Sequence, residues 1–319
     1  MAKSPLSAAQ KTFDDLSHLV LPLVAIGKDA QWHAIGTCFV VAWVNPAQGL
    51  ALTAAHNLEH IKKVLRGDQR RSHASTPQEF RGSEADVVAL DDRESVRVCM
   101  PTSTGTVYAT IGRAWWKSGF CDLAVLLIEL PPTSKPFPAR LGLDSSPATQ
   151  GQRVVTLGYS RLDVTSHQDY EAPKFTARIA TTVQSRPGTV TEVLPLGEGI
   201  YRWPGFLVDT AFDSGMSGGP VLTNTGALLV KGIVTADMSV DPQNGAIGSG
   251  VRAFASSIWP VLTLPINIEA RSEDGTVLVP NGSRLTEWIR KGLIHDHGEA
   301  DKRIRSRWRN GIEEFNWIA

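Results

Sequence analysis

Cysteine is scarce in this sequence, and its scarcity excludes several kinds of protein. The 319 residues include only three cysteines, Cys38, Cys99 and Cys121. An odd and sparse set of this kind cannot form a disulfide framework and has no paired ligand spacing for zinc. A reducing compartment fits this usage best, and we therefore expect a cytoplasmic protein.

The sequence also lacks an excess of charge of either sign and a long apolar run. Its 32 acidic residues balance 32 basic residues, so the net charge indicates neither nucleic acid nor a membrane surface as a partner. The apolar run near the amino terminus is short and is interrupted by Asp14, Asp15 and His18. This pattern argues against a signal peptide or a membrane span. We expect a soluble protein without a nucleic-acid or membrane partner.

What the chain does contain is a series of short runs rich in β-branched and aromatic residues, such as GTCFVV, DLAVLLIEL and ALLVKGIVTA. Turn residues separate these runs at short intervals, which predicts an all-β antiparallel sandwich or barrel. The proline-rich stretch 131–150 divides the runs into two comparable sets and is predicted to link them. We therefore expect one β-domain over 19–130 and a second over 151–262.

Both ends of the chain are predicted to be helical. Residues 6–16 contain no glycine and follow Pro5, which favours a short helix within an amino-terminal segment 1–18. Beyond residue 262, the runs SRLTEWIRKGLI and ADKRIRSRWRNGIEEFNWIA have apolar residues at helical spacing, which predicts a helical extension over 263–319. We expect four aromatic side chains of this extension to pack back against the strands, namely Trp288, Trp308, Phe315 and Trp317.

One stretch, DSGMSGGP at 213–220, surrounds Ser217 with glycines. A serine hydroxyl is a weak nucleophile, so a hydrolase presents it at a sharp turn, supplies a base and aims backbone N–H groups at the developing oxyanion. Gly215 would let its own N–H and that of Ser217 point into one small hole without a side chain in the way. An ordinary glycine-rich turn is the alternative interpretation.

Two further side chains have the chemistry that such a serine requires. His56 ends the run LALTAAH, after two alanines that are small enough to pack beneath an imidazole. Asp122 stands at the start of a strongly apolar run, where an unpaired carboxylate would be costly to bury. It therefore needs a partner, and the imidazole is a candidate. A structural histidine and a hydrogen-bonded aspartate at a strand end are the alternatives.

The order His56, Asp122, Ser217 resembles that of the trypsin-like, chymotrypsin-fold serine peptidases. TAAH, CDLAVL and SGMSGGP match the histidine, aspartate and nucleophile motifs of that family. The bacterial HtrA group is the branch that looks nearest, although we expect no PDZ domain in an extension this short. The resemblance covers about residues 19–262 and implies two six-stranded antiparallel β-barrels.

The same resemblance implies a serine endopeptidase that acts through an acyl-enzyme intermediate. We expect limited proteolysis of a cytoplasmic protein partner by an enzyme of bacterial type. Ser217 would be the nucleophile, His56 the base and Asp122 the group that orients the imidazole. The N–H groups of Gly215 and Ser217 would form the oxyanion hole. A pseudoprotease or scaffold that binds a protein partner without turnover is the alternative. An α/β-hydrolase esterase is excluded because its order is serine, acid, histidine.

The family pattern also assigns a substrate pocket. Ala211 corresponds to the pocket floor and Gly250 to a wall, and Phe212 beside the floor favours a small or medium apolar substrate side chain. Thr235 corresponds to a residue whose hydroxyl supports the aspartate, and a β-branched strand residue is the alternative. If Asp213 or Asp237 lay near this pocket, its carboxylate would instead attract a basic substrate side chain.

The remaining polar clusters are interpreted more simply. His295 and His297 alternate in a loop without a third ligand nearby, so we predict a solvated turn, with no metal and no cofactor. The stretches KKVLRGDQRR and KRIRSRWR are basic. Because nucleic-acid binding needs a contiguous positive face, we predict solvated surfaces or a tail for docking a protein. Besides a protein or peptide substrate, an activating or docking partner would bind at the carboxyl-terminal extension.

Overall fold

The structure is a computed structural model. It describes residues 20–27, 31–66, 86–88, 96–102, 105–116, 121–131, 140–168, 175–223, 229–238, 252–309 and 312–318. The helix predicted for residues 6–16 lies outside these ranges.

The first half of the chain forms a closed barrel. Its strands are β1 (Val20–Ile26), β2 (Trp32–Asn45), β3 (Gln48–Thr53), β4 (Asp86–Val88), β5 (Val96–Thr102), β6 (Gly105–Trp116) and β7 (Ala124–Glu129), with helix α1 (Ala55–Arg66) after β3. The strand order is β4-β6-β5-β1-β2-β3-β7, and β6 also pairs with β7. This last pairing closes six antiparallel strands into a ring, with the short β4 added outside it on β6.

The second barrel repeats this arrangement. Its strands are β8 (Gly142–Leu143), β9 (Arg153–Gln168), β10 (Phe175–Leu194), β11 (Gly205–Val208), β12 (Pro220–Thr223), β13 (Leu229–Asp237) and β14 (Ala253–Ser257). The order is β12-β9-β10-β11-β14-β13-β8, and the β12–β13 pairing closes the six strands β9 to β14 into a ring. Strand β8 joins β13 in parallel. The predicted double barrel is confirmed, whereas the exact domain boundaries stay a prediction.

Strand β7 is apolar along almost its whole length because both of its faces are buried. Its residues Ala124 and Leu126 belong to the interior of the first barrel. Val125 and Leu127 belong to a second cluster, which includes residues of the other barrel and of the extension. Because successive side chains of a strand point to opposite faces, a strand buried on both faces needs apolar residues throughout. Asp122 lies two residues before this strand and therefore beside the contact between the barrels.

The carboxyl-terminal extension is only partly helical. After a 3-10 turn (Trp259–Thr263) it contains β15 (Ala270–Arg271), β16 (Val277–Val279), α2 (Leu285–Arg290), α3 (Ala300–Arg303), β17 (Ile304–Arg309) and β18 (Ile312–Trp317). The helical prediction holds at α2 and α3 but is wrong for the final segment, where β17 and β18 pair as antiparallel strands. The sequence Asn310-Gly311 between them is a strong hairpin signal, and it outweighs the apparent helical spacing.

The aromatic side chains of the extension differ in burial. Trp288 is fully buried, and Trp317 packs against the shared cluster. Phe315 is half-buried, and the guanidinium of Arg284 lies 4.9 Å from its ring centre. Trp308 is 72% exposed, so the expectation that it packs against the barrels is wrong.

In the described part of the chain, no helix has the length and apolar character needed to cross a membrane.

Candidate active site

His56 lies on the first turn of α1, immediately after the buried end of β3. Thr53 and Ala54 are fully buried, so the chain leaves the barrel at a defined point before the helix begins. The imidazole itself is 44% exposed. One edge of the ring therefore faces solvent, while the other faces the protein.

Asp122 holds both the backbone and the ring of His56. Its side chain is 6% exposed, and its Oδ1 accepts the His56 backbone N–H at 2.9 Å. Its Oδ2 lies 2.7 Å from His56 Nδ1. The backbone carbonyl of Asp122 also accepts the N–H of Ala55 at 3.2 Å. These bonds offset the cost of burying the carboxylate, and they leave His56 Nε2 pointing away from it.

The hydroxyl of Ser217 contacts that second ring nitrogen, Nε2 of His56. The structure thus brings Ser217, His56 and Asp122 into one continuous chain of hydrogen-bonding atoms, although they are 66 and 161 residues apart. The serine and the histidine come from different barrels, so the arrangement exists only where the barrels meet.

The glycines around Ser217 are required by the backbone. Gly215 has φ +97° and Gly218 has φ +83°, a region that side chains rarely adopt. A Cβ at Gly215 would also clash with the carbonyl oxygen of Tyr159, and one at Gly218 with that of Thr37. The turn around the serine therefore depends on residues without a side chain.

The N–H groups of Gly215 and Ser217 differ from their neighbours in this turn. Met216 N–H donates to Asp213 O at 3.1 Å, and Gly218 N–H donates to Val234 O at 2.9 Å. Within the described ranges, the N–H groups of Gly215 and Ser217 make no hydrogen bond to the protein. They are therefore available to bind an oxygen atom beside the Ser217 hydroxyl.

The turn is anchored in both barrels. The Met216 side chain is fully buried in the core of the second barrel. From the first barrel, Asn57 Nδ2 donates to Ser217 O at 3.0 Å and to Thr53 Oγ1 at 3.0 Å. Asn57 is 1% exposed. The sequence analysis missed this residue, although its place directly after His56 was the available signal.

The charge of Asp122 changes the proton affinity of His56. Burial lowers the pKa of the imidazole, and the Asp122 carboxylate raises it through its charge and its hydrogen bond. The net effect is a His56 pKa above the ordinary value. The imidazolium form is therefore stabilised relative to a histidine in water, as a base that must accept a proton requires.

The residues predicted to form the substrate pocket do not all lie at a surface. Ala211 is half-buried, whereas Phe212 is 7% exposed and belongs to the core of the second barrel. Gly250 lies outside the described residues. Asp213 forms an ion pair with Arg186, whose Nη2 lies 2.7 Å from Asp213 Oδ2. The negative charge of Asp213 is therefore already compensated.

Thr235 does not support Asp122 in the way that the family pattern implied. Its hydroxyl lies 2.7 Å from that of Ser256. The pairing of β13 with β14 shifts register between Val234 and Ala236, so Thr235 sits in a bulge that turns it toward Ser256. Within the described residues, His56 and Ala55 are the hydrogen-bond partners of Asp122.

An aromatic group that the sequence analysis did not identify lies near Asp122. Tyr201 stacks on Phe254 with ring centres 4.8 Å apart. Trp203 packs edge-on against Tyr201 and donates its Nε1–H to Ser256 at 2.7 Å. Burial and, to a smaller extent, the Asp122 charge raise the pKa of Tyr201 to about 12. The phenol is therefore neutral at physiological pH.

Two further candidates from the sequence are the histidine pair of the extension and Cys121. His295 and His297 contact each other, with their Nε2 atoms 2.8 Å apart. Among the described residues, no group of three or more histidine, cysteine or acidic side chains could hold a metal ion. Cys121 is a buried thiol within the cluster shared by the barrels.

Residues 36–230 match the family described as the trypsin-like peptidase domain. This segment is more than half of the chain and includes His56, Asp122 and Ser217. The protein belongs to the trypsin-like peptidase family. The family assignment made from the sequence motifs is confirmed, and protein or peptide substrates follow from it at the level of the family.

The solved structures to which this chain is similar include two of low sequence identity. The MamO protease domain from Magnetospirillum magneticum, in its apo form, is 15% identical, with 77% of this chain and 94% of that chain covered and a TM-score of 0.44. Deg5 is 18% identical, with 81% of this chain and 91% of that chain covered and a TM-score of 0.43. At such identities the likeness concerns the fold alone. The chain has no match among curated protein sequences.

Proposed function

We propose that the protein is a serine endopeptidase that hydrolyses peptide bonds through Ser217, His56 and Asp122. The observation that carries this proposal is the chain of contacts from Ser217 Oγ to His56 Nε2 and from His56 Nδ1 to Asp122 Oδ2, the latter 2.7 Å long. The unbonded N–H groups of Gly215 and Ser217 stand beside it. The site thus combines the base, the nucleophile and the oxyanion donors that acyl transfer requires.

In the first half of the reaction, Ser217 Oγ attacks the carbonyl carbon of the peptide bond. His56 Nε2 takes the hydroxyl proton, and the Asp122 carboxylate stabilises the imidazolium that forms. The negative charge develops on the carbonyl oxygen, where the N–H groups of Gly215 and Ser217 bind it. When the carbon–nitrogen bond breaks, His56 returns the proton to the leaving amine and the acyl group stays on Ser217.

In the second half, a water molecule attacks the acyl-enzyme. His56 takes a proton from the water, and the same two N–H groups bind the second oxyanion. Breaking the bond to Ser217 Oγ releases the carboxylic acid, and His56 returns its proton to the serine. The enzyme is then restored without a cofactor in either step.

We propose that the enzyme cuts its substrate after a residue with a small or medium apolar side chain. Ala211 offers no charge at the predicted pocket floor. The ion pair of Asp213 with Arg186 supports this preference because a compensated carboxylate attracts a basic side chain less strongly. Cleavage of a peptide library, with the sites read by mass spectrometry, tests it. Cuts concentrated after lysine or arginine would overturn it.

A fluorophosphonate tests the proposed nucleophile without knowledge of the substrate. The probe phosphonylates an activated serine and loses fluoride, and intact-mass measurement detects the single adduct. We expect one adduct on the wild-type protein and none on Ser217→Ala or His56→Ala. Two control variants should be labelled like the wild type: His60→Ala, on the same helix, and Ser272→Ala, at a half-buried site in the extension.

The alternative is a scaffold that binds a protein without turnover. It predicts no adduct on correctly folded wild-type protein. Peptide-bond cleavage is then tested separately, with Ser217→Ala as the inactive reference. An adduct without cleavage of any library peptide would indicate a serine hydrolase of another class and would overturn the endopeptidase assignment.

Two broader proposals concern where and with what the enzyme acts. The sparse cysteine content, three residues in the chain, supports a cytoplasmic enzyme that cuts a dedicated protein, and cell fractionation tests this location. The exposed Trp308, in a strand with alternating arginines, supports docking of a protein partner on the extension. Loss of a cross-linked partner in Trp308→Ala, with retained fluorophosphonate labelling, is the expected result.

A further inference from the structure

The side chain of Thr37 connects the first barrel to the turn that carries the oxyanion donors. Thr37 is fully buried, and its Oγ1 donates to Gly215 O at 2.9 Å. The same hydroxyl accepts the backbone N–H of Tyr159 at 3.0 Å. Because Tyr159 N–H can only donate and Gly215 O can only accept, the direction of both bonds is determined.

The backbone of Thr37 is held just as firmly. Its N–H donates to Ser217 O at 2.8 Å, and its carbonyl accepts the hydroxyl of Thr53 at 2.7 Å. The residue that holds Gly215 O therefore also holds Ser217 O. Its own position is set by the sheet of the first barrel, where it pairs with Pro22.

These contacts restrict the two peptide planes that follow Gly215. The plane between Gly215 and Met216 is held at its oxygen by Thr37 and at its nitrogen by Asp213 O. The next plane is held at Met216 O by the N–H of Gly219, at 2.8 Å. Peptide groups are planar, so these bonds set the direction of the Ser217 N–H and the position of the Gly215 Cα. The two backbone torsions of Gly215 then remain to orient its own N–H.

Glycine has little intrinsic preference for any one conformation, so a turn this rich in glycine needs an external constraint. Thr37 supplies that constraint from the opposite barrel, through its hydroxyl at Gly215 O and its N–H at Ser217 O. We propose that Thr37 is a positioning residue that keeps the oxyanion hole assembled before substrate binds. The enzyme is then constitutively competent, and a partner on the extension serves for docking rather than for activation. This inference rests on the proposed peptidase function.

The test compares Thr37→Val, which keeps the shape and removes the hydroxyl, with Thr37→Ser, which keeps the hydroxyl. The rate constant of fluorophosphonate labelling is measured across pH without any added peptide. We expect Thr37→Val to lower the plateau rate about 10- to 100-fold, less than the roughly 100- to 1000-fold cost of deleting an oxyanion donor. Thr37→Ser should recover most of the rate. The midpoint of the pH profile should not move, because the contact of His56 with Asp122 is untouched.

Thr263→Val is the matched control, since Thr263 is also a buried threonine whose hydroxyl donates to a backbone carbonyl, that of Pro260 at 2.8 Å. It should be labelled at the wild-type rate. If Thr37→Val does not fold, Thr37→Ala provides the same comparison with less steric change. Wild-type labelling of either hydroxyl-free variant would overturn the inference, as would wild-type protein that reacts only after a peptide is added. A wild-type protein that never reacts would instead overturn the proposed function.

Discussion

The carboxylate of Asp122 binds His56 twice, once at the backbone N–H and once at Nδ1, at 2.9 and 2.7 Å. A single side chain therefore fixes both where helix α1 begins and how the imidazole is turned. The ring cannot rotate without breaking the second bond, and Nε2 stays directed at Ser217.

Replacing Asp122 by Asn should lower the rate of fluorophosphonate labelling at neutral pH by about 10⁴-fold, the size of the effect in another enzyme with this triad. An amide that keeps its bond to the His56 backbone turns its NH₂ group toward Nδ1, which favours the wrong tautomer. Asp274→Asn, at an exposed site of the extension, is the control for the chemical change alone. Equal rates for the two variants would show that Asp122 does not orient the base.

The labelling rate of the wild-type protein should rise with pH through the pKa of His56, because only the neutral imidazole accepts a proton. Since Asp122 holds this pKa above the ordinary value of 6.5, the midpoint should lie above pH 6.5. It should fall in Asp122→Asn, whose remaining rate is measured over the same range. A midpoint below 6.5 in the wild type would contradict the assigned balance of burial and charge.

The effect of this pair on stability has the opposite dependence on pH. A raised pKa in the folded state means that the folded protein binds the proton more tightly than the unfolded chain does. The contribution is fully present below the ordinary pKa of histidine and is lost as the pH rises through the folded pKa. Urea unfolding of the wild type and of His56→Ala at several pH values measures this contribution. We expect the difference between their free energies of unfolding to shrink toward high pH.

Asn57→Ala should destabilise the fold by about 1–3 kcal/mol, because it removes a buried amide that donates to Ser217 O and Thr53 Oγ1. Asn57→Asp should be worse, since a carboxylate cannot donate to a carbonyl oxygen and brings a buried charge. Urea unfolding measures both, and Asn316→Ala at an exposed position is the control. An Asp variant as stable as the wild type would show that the donated bonds contribute little.

Gly215→Ala should abolish most of the labelling, by about 100- to 1000-fold if one oxyanion donor is displaced. The added Cβ would clash with Tyr159 O in addition to straining φ +97°. Gly275→Ala separates the two effects, because Gly275 has φ +85° but nothing lies near its Cβ. That control should cost some stability and leave the labelling rate unchanged. Similar labelling of both variants would contradict the steric argument.

Where sequence reasoning failed, the competing signal can be named. Residues 304–317 combine apolar spacing suited to a helix with the dipeptide Asn310-Gly311, and the hairpin is what forms. Phe212 was placed at a pocket because it neighbours Ala211, yet its side chain fills the core of the second barrel. In both cases a local pattern allowed two structures, and the burial of side chains decided between them.

The strand-rich class, the family and the three residues that meet at the site can be read from the sequence. These are local properties, because the strand signal has a period of two residues and each motif lies within a few residues of its histidine, aspartate or serine. The folded structure is needed to see that Thr37 holds Gly215, 178 residues away, and that Thr235 bonds Ser256. Such contacts depend on how two closed sheets pack and on where a bulge shifts their register, and no short stretch of sequence records either.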